Sequence, residues 1–479
     1  MSPTRRRSEP FSPADAVSLR SDNPTNMTMI TGVMTFDGIL NIERLKATLE
    51  TRLLASYGRF RQRVREPALV GLPRWEDDPH FDLDAHVHRV GLPAPGDQAA
   101  LQALVSDLMS TPLDFSKPLW QVHVVEGGAG GSAIVVRLSH SIADGLALVQ
   151  VLLSLADAEP DAPLPEPAGA PQDDEGAGSI LDPARTGYRR IRGGMRRARK
   201  LLHEGREVLG DSERLVDASL IAAASTLSLG KLILTPPDRN TVFRGPMGVA
   251  KRAVWSAPVS LEQVKAIGRA VNGTVNDVLL TATAGALRRY VEGRGQPTDG
   301  LNVRALVPVN LRGPDELDRL GNRFGIVFLD LPVGVRDPYR RLLVLKRRMD
   351  DIKDSPDAAV TFGVLNVMGL APTPIEKRLG LFLAGKTTAI VTNVPGPREQ
   401  LYLAGSPLRG CMFWVPAPAG LGMGISILSY RGEVTVGVAT DAGLVPDPEA
   451  IIAAFYAELE EMRQWISEGE GEEGDAPAS

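Results

Sequence analysis

The chain has 479 residues, room for two or three domains, and its 43% hydrophobic and 23% charged content excludes a mostly disordered polymer. Its 53 Lys+Arg against 58 Asp+Glu leave a net charge of −5, and residues 468–479 hold five acids and no base, so global charge gives no argument for nucleic acid. A single cysteine, Cys411, excludes an internal disulfide framework and a cysteine-held structural zinc, and fits a reducing, cytoplasmic compartment.

Arg5, Arg6 and Arg7 are followed by Ser8-Glu9-Pro10 and not by an apolar run, so no secretory leader is expected. Ala218 to Gly230 is the longest weakly polar run, 13 residues, short of the about 20 that a membrane span needs. Met29 to Phe36 reads as a strand, and Asn41 to Ser56 as a helix with Ile42, Leu45, Leu49 and Leu53 at helical spacing. Trp120 to Val125 and Ser132 to Leu138 read as two strands around the Gly-rich turn 127–131, followed by a helix from Asp144 to Ala156. Residues 1–158 thus form a first mixed α/β lobe. The segment 159–180, rich in proline and acids, buries too little to offset its ordering entropy and reads as an exposed linker.

A basic helical stretch follows at 185–210, which places linker and crossover together at 159–240. From 241 to 467 a second α/β lobe is expected. It holds helices at 259–271 and 276–290, a strand at 302–312, paired strands at 421–430 and 433–440, and a last helix at 448–467. The tail 468–479 reads as disordered. Two α/β lobes of similar size suggest a site between them.

Among six histidines, His140 alone stands in a suggestive frame. In Ser132–Gly145, SAIVVRLSHSIADG, the apolar strand ends at Ser139-His140, a short loop follows, and Asp144-Gly145 opens a helix. A histidine at a strand end can face a cleft, and its ordinary pKa near 6.5 suits proton abstraction at neutral pH. Asp144 reads either as the cap of the following helix or as an ion-paired residue that shapes the loop. Gly145 permits close packing. In the second half Asn276 reads either as a helix N-cap or as an amide that hydrogen-bonds a substrate oxygen. Arg304 or Arg312, on the alternating strand, is a candidate partner for Asp144, with a solvated or structural arginine as the alternative. No metal site is indicated.

These residues, taken together, resemble the bacterial wax ester synthase/acyl-CoA:diacylglycerol acyltransferases, within the CoA-dependent acyltransferases. The superfamily motif HHxxxDG stands here as Ser139-His140-Ser141-Ile142-Ala143-Asp144-Gly145. Further blocks of the family fall in order: Phe81 to Val87 (FDLDAHV), Thr111 to Phe115, Pro118-Leu119-Trp120, Asn276-Asp277 and Val307-Pro308-Val309. Gly321-Asn322, Asn393-Val394-Pro395-Gly396-Pro397, Ser429-Tyr430 and Val445-Pro446-Asp447 complete the series, so the similarity runs from about residue 12 to 465. Asp22 matches an acidic position of the family more loosely. One departure is clear, since Ser139 replaces the first motif histidine.

The resemblance implies two chloramphenicol-acetyltransferase-like lobes meeting at a tunnel. Acyl-CoA is the donor substrate, diacylglycerol or a long-chain alcohol the acceptor, and no cofactor is needed. His140 is then the general base and Asn276 an oxyanion or acceptor ligand. Neighbouring strand residues point to opposite faces, so Ser139 is expected to turn away from the channel. Alternatives are a condensation-type enzyme using carrier-bound acyl groups, or a catalytically weak lipid-binding paralogue. A cytoplasmic monomer or homodimer is expected. Arg189, Arg190, Arg196 and Arg197, set against Tyr188, Ile191 and Leu201 within 185–206, suit either peripheral binding to a membrane or lipid-droplet surface or a solvated crossover.

Overall fold

The computed structural model describes residues 8–67, 71–128, 131–163, 230, 234–311, 324–353, 355, 357–370, 373–416 and 420–474. Most of the expected linker, the basic stretch 185–206, Arg312 and Gly321-Asn322 lie outside the described residues.

Two mixed sheets organise the chain. The first has six strands in the order Tyr402–Leu403, Ser406–Trp414, Met29–Asp37, Gly131–Ser139, Trp120–Gly128, Val87–Gly91. Its hairpin forms where the sequence places it, with Trp120 opposite Leu138. Strand Gly131–Ser139 is buried along nearly all its length, its apolar residues Ala133–Val136 and Leu138 together with Arg137, whose guanidinium is bonded to Gln121 and the Thr111 carbonyl. The second sheet has seven strands. Its path runs Phe324–Leu331, Val303–Asn310, Ala389–Pro395, Met423–Tyr430, Glu433–Asp441, Lys251–Trp255, with Val259–Ser260 also on Glu433–Asp441. Val303–Asn310, Ala389–Pro395 and Met423–Tyr430 run parallel to one another, so their C-terminal ends share one edge. A small third sheet joins Ser8–Pro10, Arg74–Asp77 and Gln62–Arg65.

The two halves interleave. Strand Ser406–Trp414 leaves the C-terminal half and pairs with Met29–Asp37 of the first sheet. In return, helix Gln98–Met109 caps the edge of strand Lys251–Trp255. Ser106 and Ser110 Oγ accept the N–H groups of Ala253 and Lys251 at 2.9 and 2.8 Å. Gln98 and Gln102 donate to the Trp255 carbonyl. An edge strand's unpaired groups are thus covered, as edge strands require. The opposite edge, Phe324–Leu331, is covered by helix Asp357–Leu370, whose Thr361 Oγ1 accepts the N–H of Ile326 and donates to its carbonyl, both at 2.7 Å.

One expectation needs correction. The last helix runs from Glu449 to Gly474, past the 467 read from the sequence and into the supposed disordered tail. Propagation from the docked part and the helix-favouring glutamates carry it on, against the cost of Gly469 and Gly471. Residues 159–163, the start of the segment read as exposed linker, are exposed except for half-buried Ala162, whose carbonyl accepts from Arg44 at 2.7 Å. Among the described residues no helix is long and apolar enough to cross a membrane.

Candidate active site

His140 follows strand Gly131–Ser139 and is half-buried where the two halves meet. Its backbone N–H donates to the Thr28 carbonyl at 2.9 Å. Thr28 is itself fixed, with its N–H on Asp22 Oδ1 at 2.7 Å and its hydroxyl donating to the Ser18 carbonyl at 2.8 Å. Ser18, in helix Pro13–Arg20, closes the circuit, because its Oγ lies 3.5 Å from His140 Nδ1. That hydroxyl also donates to the Ala14 carbonyl at 3.3 Å, which leaves its lone pairs toward the imidazole. The arrangement favours the tautomer with the proton on Nδ1 and a lone pair on Nε2. Burial raises the Asp22 carboxyl against the lowering effect of the Thr28 bonds. Asp22 therefore sits in the loop that holds His140.

On the other side the His140 ring meets the ring of Phe324 edge-on at 5.7 Å. Phe324 opens the edge strand of the second sheet and lies opposite Asn310. This brings His140 to the edge where the parallel strands end. Strands Val303–Asn310 and Ala389–Pro395 pair only at Ala305↔Ala389 and Leu306↔Ile390. Both continue beyond that point, so a gap opens toward Asn310 and Asn393. Leu306, Ile390 and Leu421, with Ile326 and Val415 against them, form a separate apolar cluster at its base.

The rest of the HxxxDG loop is buried. Ser139 Oγ turns into its own loop, 2.9 Å from Ser141 Oγ, and accepts the Ser141 N–H. The Ile142 carbonyl accepts from Arg59 at 2.7 Å, and Arg59 pairs with the buried Asp15 at 3.3 Å. Asp144 is buried directly before helix Gly145–Ser154. A Cβ on Gly145 would stand 2.6 Å from Val415 Cγ1, so the glycine is needed for contact with the other half.

Asn276 is not the helix cap. Thr274 caps helix Val275–Gly293 and forms a capping box with Asp277. Asn276 instead accepts on its Oδ1 from Asn393 Nδ2 at 2.9 Å. Two motif residues far apart in sequence thus meet at the strand-end edge. Arg304 does not fill the role offered to it. It pairs with Asp330 at 2.7 Å and donates to the carbonyls of Pro236 and Lys386, pinning the chain that returns from the crossover. Asp330 stands across the antiparallel ladder from it, and a near partner wins over a distant one.

Several family blocks serve the frame. Trp120 is fully buried, donates from Nε1 to the Phe60 carbonyl at 2.8 Å, and stacks on His86, which stacks on Phe81. The blocks at 81–87 and 118–120 are therefore one packing unit. The Leu119 carbonyl accepts the Ser139 N–H at 2.9 Å, which ties that unit to the loop of His140; Pro118 is buried beside it. Arg137 donates to Gln121 at 2.9 Å and to the Thr111 carbonyl. Pro395 ends its strand opposite Ser429, and a Cβ on Gly396 would strike the Ser429 carbonyl oxygen at 2.3 Å. Asp447 accepts the Tyr290 hydroxyl at 2.7 Å. Burial pushes the Cys411 thiol up to about 12, which makes it a poor nucleophile. Among the described residues no group of three His, Cys, Asp or Glu could hold a metal ion. Ser18, Thr28 and Phe324 were not legible as site residues, since each acts through a contact distant in sequence.

Comparison with known proteins fits this frame. Residues 11–279 match the wax ester synthase/diacylglycerol acyltransferase catalytic domain, and residues 320–463 the WS/DGAT C-terminal domain. A probable diacylglycerol O-acyltransferase of Mycobacterium tuberculosis H37Rv is 30% identical over 81% of this chain and 81% of its own. A putative diacylglycerol O-acyltransferase of M. tuberculosis CDC 1551 is 31% identical over 83% and 84%. Among solved structures, the wax ester synthase/diacylglycerol acyltransferase of Marinobacter aquaeolei VT8 superposes with a TM-score of 0.65 at 21% identity, covering 95% of this chain and 99% of that one. The first condensation domain of the calcium-dependent antibiotic synthetase gives 0.61 at 14% identity, over 95% and 96%, a likeness of fold alone. The chain belongs to the wax ester synthase/diacylglycerol acyltransferase family, and it is an acyltransferase.

Proposed function

We propose that the protein moves a long-chain acyl group from acyl-CoA to the hydroxyl of diacylglycerol or a long-chain alcohol, with His140 as general base. Nε2 of neutral His140 takes the hydroxyl proton as the oxygen attacks the thioester carbonyl. The C–S bond then breaks, and the imidazolium returns the proton to the sulfur, so CoA leaves as the thiol. Ser18 holds the imidazole in the required tautomer. With its Oδ1 occupied by Asn393, Asn276 offers its Nδ2 hydrogens to a substrate oxygen. The apolar cluster of Leu306, Ile390 and Leu421 at the base of the gap suits an acyl chain.

The observation that carries this reading is the position of His140. It is cradled by Thr28 and Ser18 of one half and touches Phe324 at the strand-end edge of the other. Thin-layer chromatography of the purified protein with palmitoyl-CoA plus dipalmitoylglycerol or hexadecanol tests it, and separates triacylglycerol from wax ester. Formation of neither product would reject the reading. Peripheral association with a membrane or lipid inclusion suits acceptors that dissolve in lipid and not in water.

A further inference from the structure

Helix Thr373–Ala384 is amphipathic in the wrong sense for a helix packed on a core. Its inward face carries Glu376, 2% exposed and paired with Arg20 at 3.2 Å. Ile375, Leu379 and Phe382, spaced i, i+4 and i+7, point outward, 51%, 40% and 49% exposed, with Leu381 at 58%. Lys377 and Arg378 are exposed beside them. A surface helix ordinarily does the reverse, burying its apolar stripe and showing its charges. Large apolar side chains gathered on one exposed surface, with cations among them, mark an interaction site.

The patch is joined to the catalytic region. Arg20, which anchors the helix through Glu376, ends helix Pro13–Arg20, and that helix carries Ser18 beside His140. The preceding helix, Asp357–Leu370, packs on Pro13–Arg20 and on the strand that begins at Phe324. A Cβ on Gly325 would stand 1.9 Å from the Ala358 carbonyl oxygen, so that packing is close.

We propose that helix Thr373–Ala384 docks the enzyme on an anionic lipid surface and presents the adjoining site to acceptors dissolved in it. Apolar side chains enter the acyl boundary, and Lys377 and Arg378 meet anionic headgroups. The inference rests on the acyltransferase reading only for its purpose; the docking itself can be measured without turnover.

Flotation of the full chain with phosphatidylcholine vesicles, with and without phosphatidylglycerol, tests it. The variant I375S/L379S/L381S alters exposed positions and leaves in place Phe382, whose ring lies under Lys386 Nζ at 4.3 Å. It should float at least tenfold less, keep its melting temperature, and keep turnover within about twofold with a short, water-soluble alcohol. K377E/R378E should lose the preference for anionic vesicles. Undiminished flotation of the triple variant would overturn the proposal. So would loss of flotation only on replacing Arg189, Arg190, Arg196 and Arg197, which would place the surface in 185–206. A triple variant that floats normally but changes oligomeric state would make the patch an interface between copies, again against the proposal. If no variant or parent transfers acyl groups while flotation behaves as stated, the catalytic reading fails and the docking stands.

Discussion

Replacing Asn276 by alanine separates a chemical role from a capping role. The capping box of helix Val275–Gly293 belongs to Thr274 and Asp277, so Asn276→Ala leaves the helix start intact. What is lost to stability is the hydrogen bond from Asn393, in an exposed setting. A typical hydrogen bond contributes about 0.5–1.5 kcal/mol net, and an exposed one sits at the low end. Thr274→Ala, which removes the cap, should cost about 0.5–2 kcal/mol. If Asn276 donates to the developing oxyanion, its loss raises the barrier by about 2.7–4 kcal/mol, which is roughly 10²- to 10³-fold in turnover. Melting curves and steady-state kinetics on the same samples should therefore cross over, with Thr274→Ala less stable and more active, and Asn276→Ala more stable and less active. Asn393→Ala adds a second check. If Asn393 acts by orienting Asn276, the double variant should turn over no more slowly than Asn276→Ala alone. A large drop in melting temperature for Asn276→Ala with turnover lowered less than tenfold would refute the reasoning.

Other expectations follow from the same geometry. Gly145→Ala should overpack against Val415, costing about 1–3 kcal/mol, and Val415→Ala in the same chain should recover much of it in thermal melts. Burial, then Arg137, lowers the His123 pKa to about 4, and burial also lowers those of His86 and His88. An unfolded histidine binds its proton near 6.5, so the unfolded state takes up protons first as pH falls. Stability should hold above about pH 6.5 and fall between 6.5 and 4, by on the order of 3 kcal/mol for His123. A melting temperature that stays level across that window would contradict this. Ser18→Ala should lower turnover roughly tenfold and shift the pH–rate profile, with Ser18→Thr rescuing both; unchanged profiles would remove Ser18 from the positioning of His140.

What the sequence disclosed depended on how local the cause was. The hairpin Trp120–Gly128/Gly131–Ser139 and the loop that carries His140 follow from a buried apolar run and a Gly-rich turn, both contained in about 25 residues. Strand Ser406–Trp414 was not legible. Its pattern is irregular, and its partner Met29–Asp37 lies in the other half, so only tertiary pairing decides it. At the start of helix Val275–Gly293, Thr274 and Asn276 are both capping residues, and the reciprocal bonds with Asp277 settle the choice. Arg304 illustrates the opposite limit. Its alternation on the strand was right, but the partner across the ladder, Asp330, comes from a strand that the sequence reading did not contain. The exposed stripe of helix Thr373–Ala384 shows helical spacing, yet spacing alone says nothing of which face is turned outward.

The most direct measurement is turnover of His140→Ala with palmitoyl-CoA and dipalmitoylglycerol, alongside its binding of palmitoyl-CoA. The account predicts a loss of about 10²- to 10⁴-fold in turnover with donor binding retained, because the imidazole acts on the acceptor's proton. Ser139→Ala, whose side chain is bonded within its own loop, should change turnover far less. Near-normal turnover in His140→Ala, with activity lost instead in Ser139→Ala, would contradict the assignment of His140 as the base.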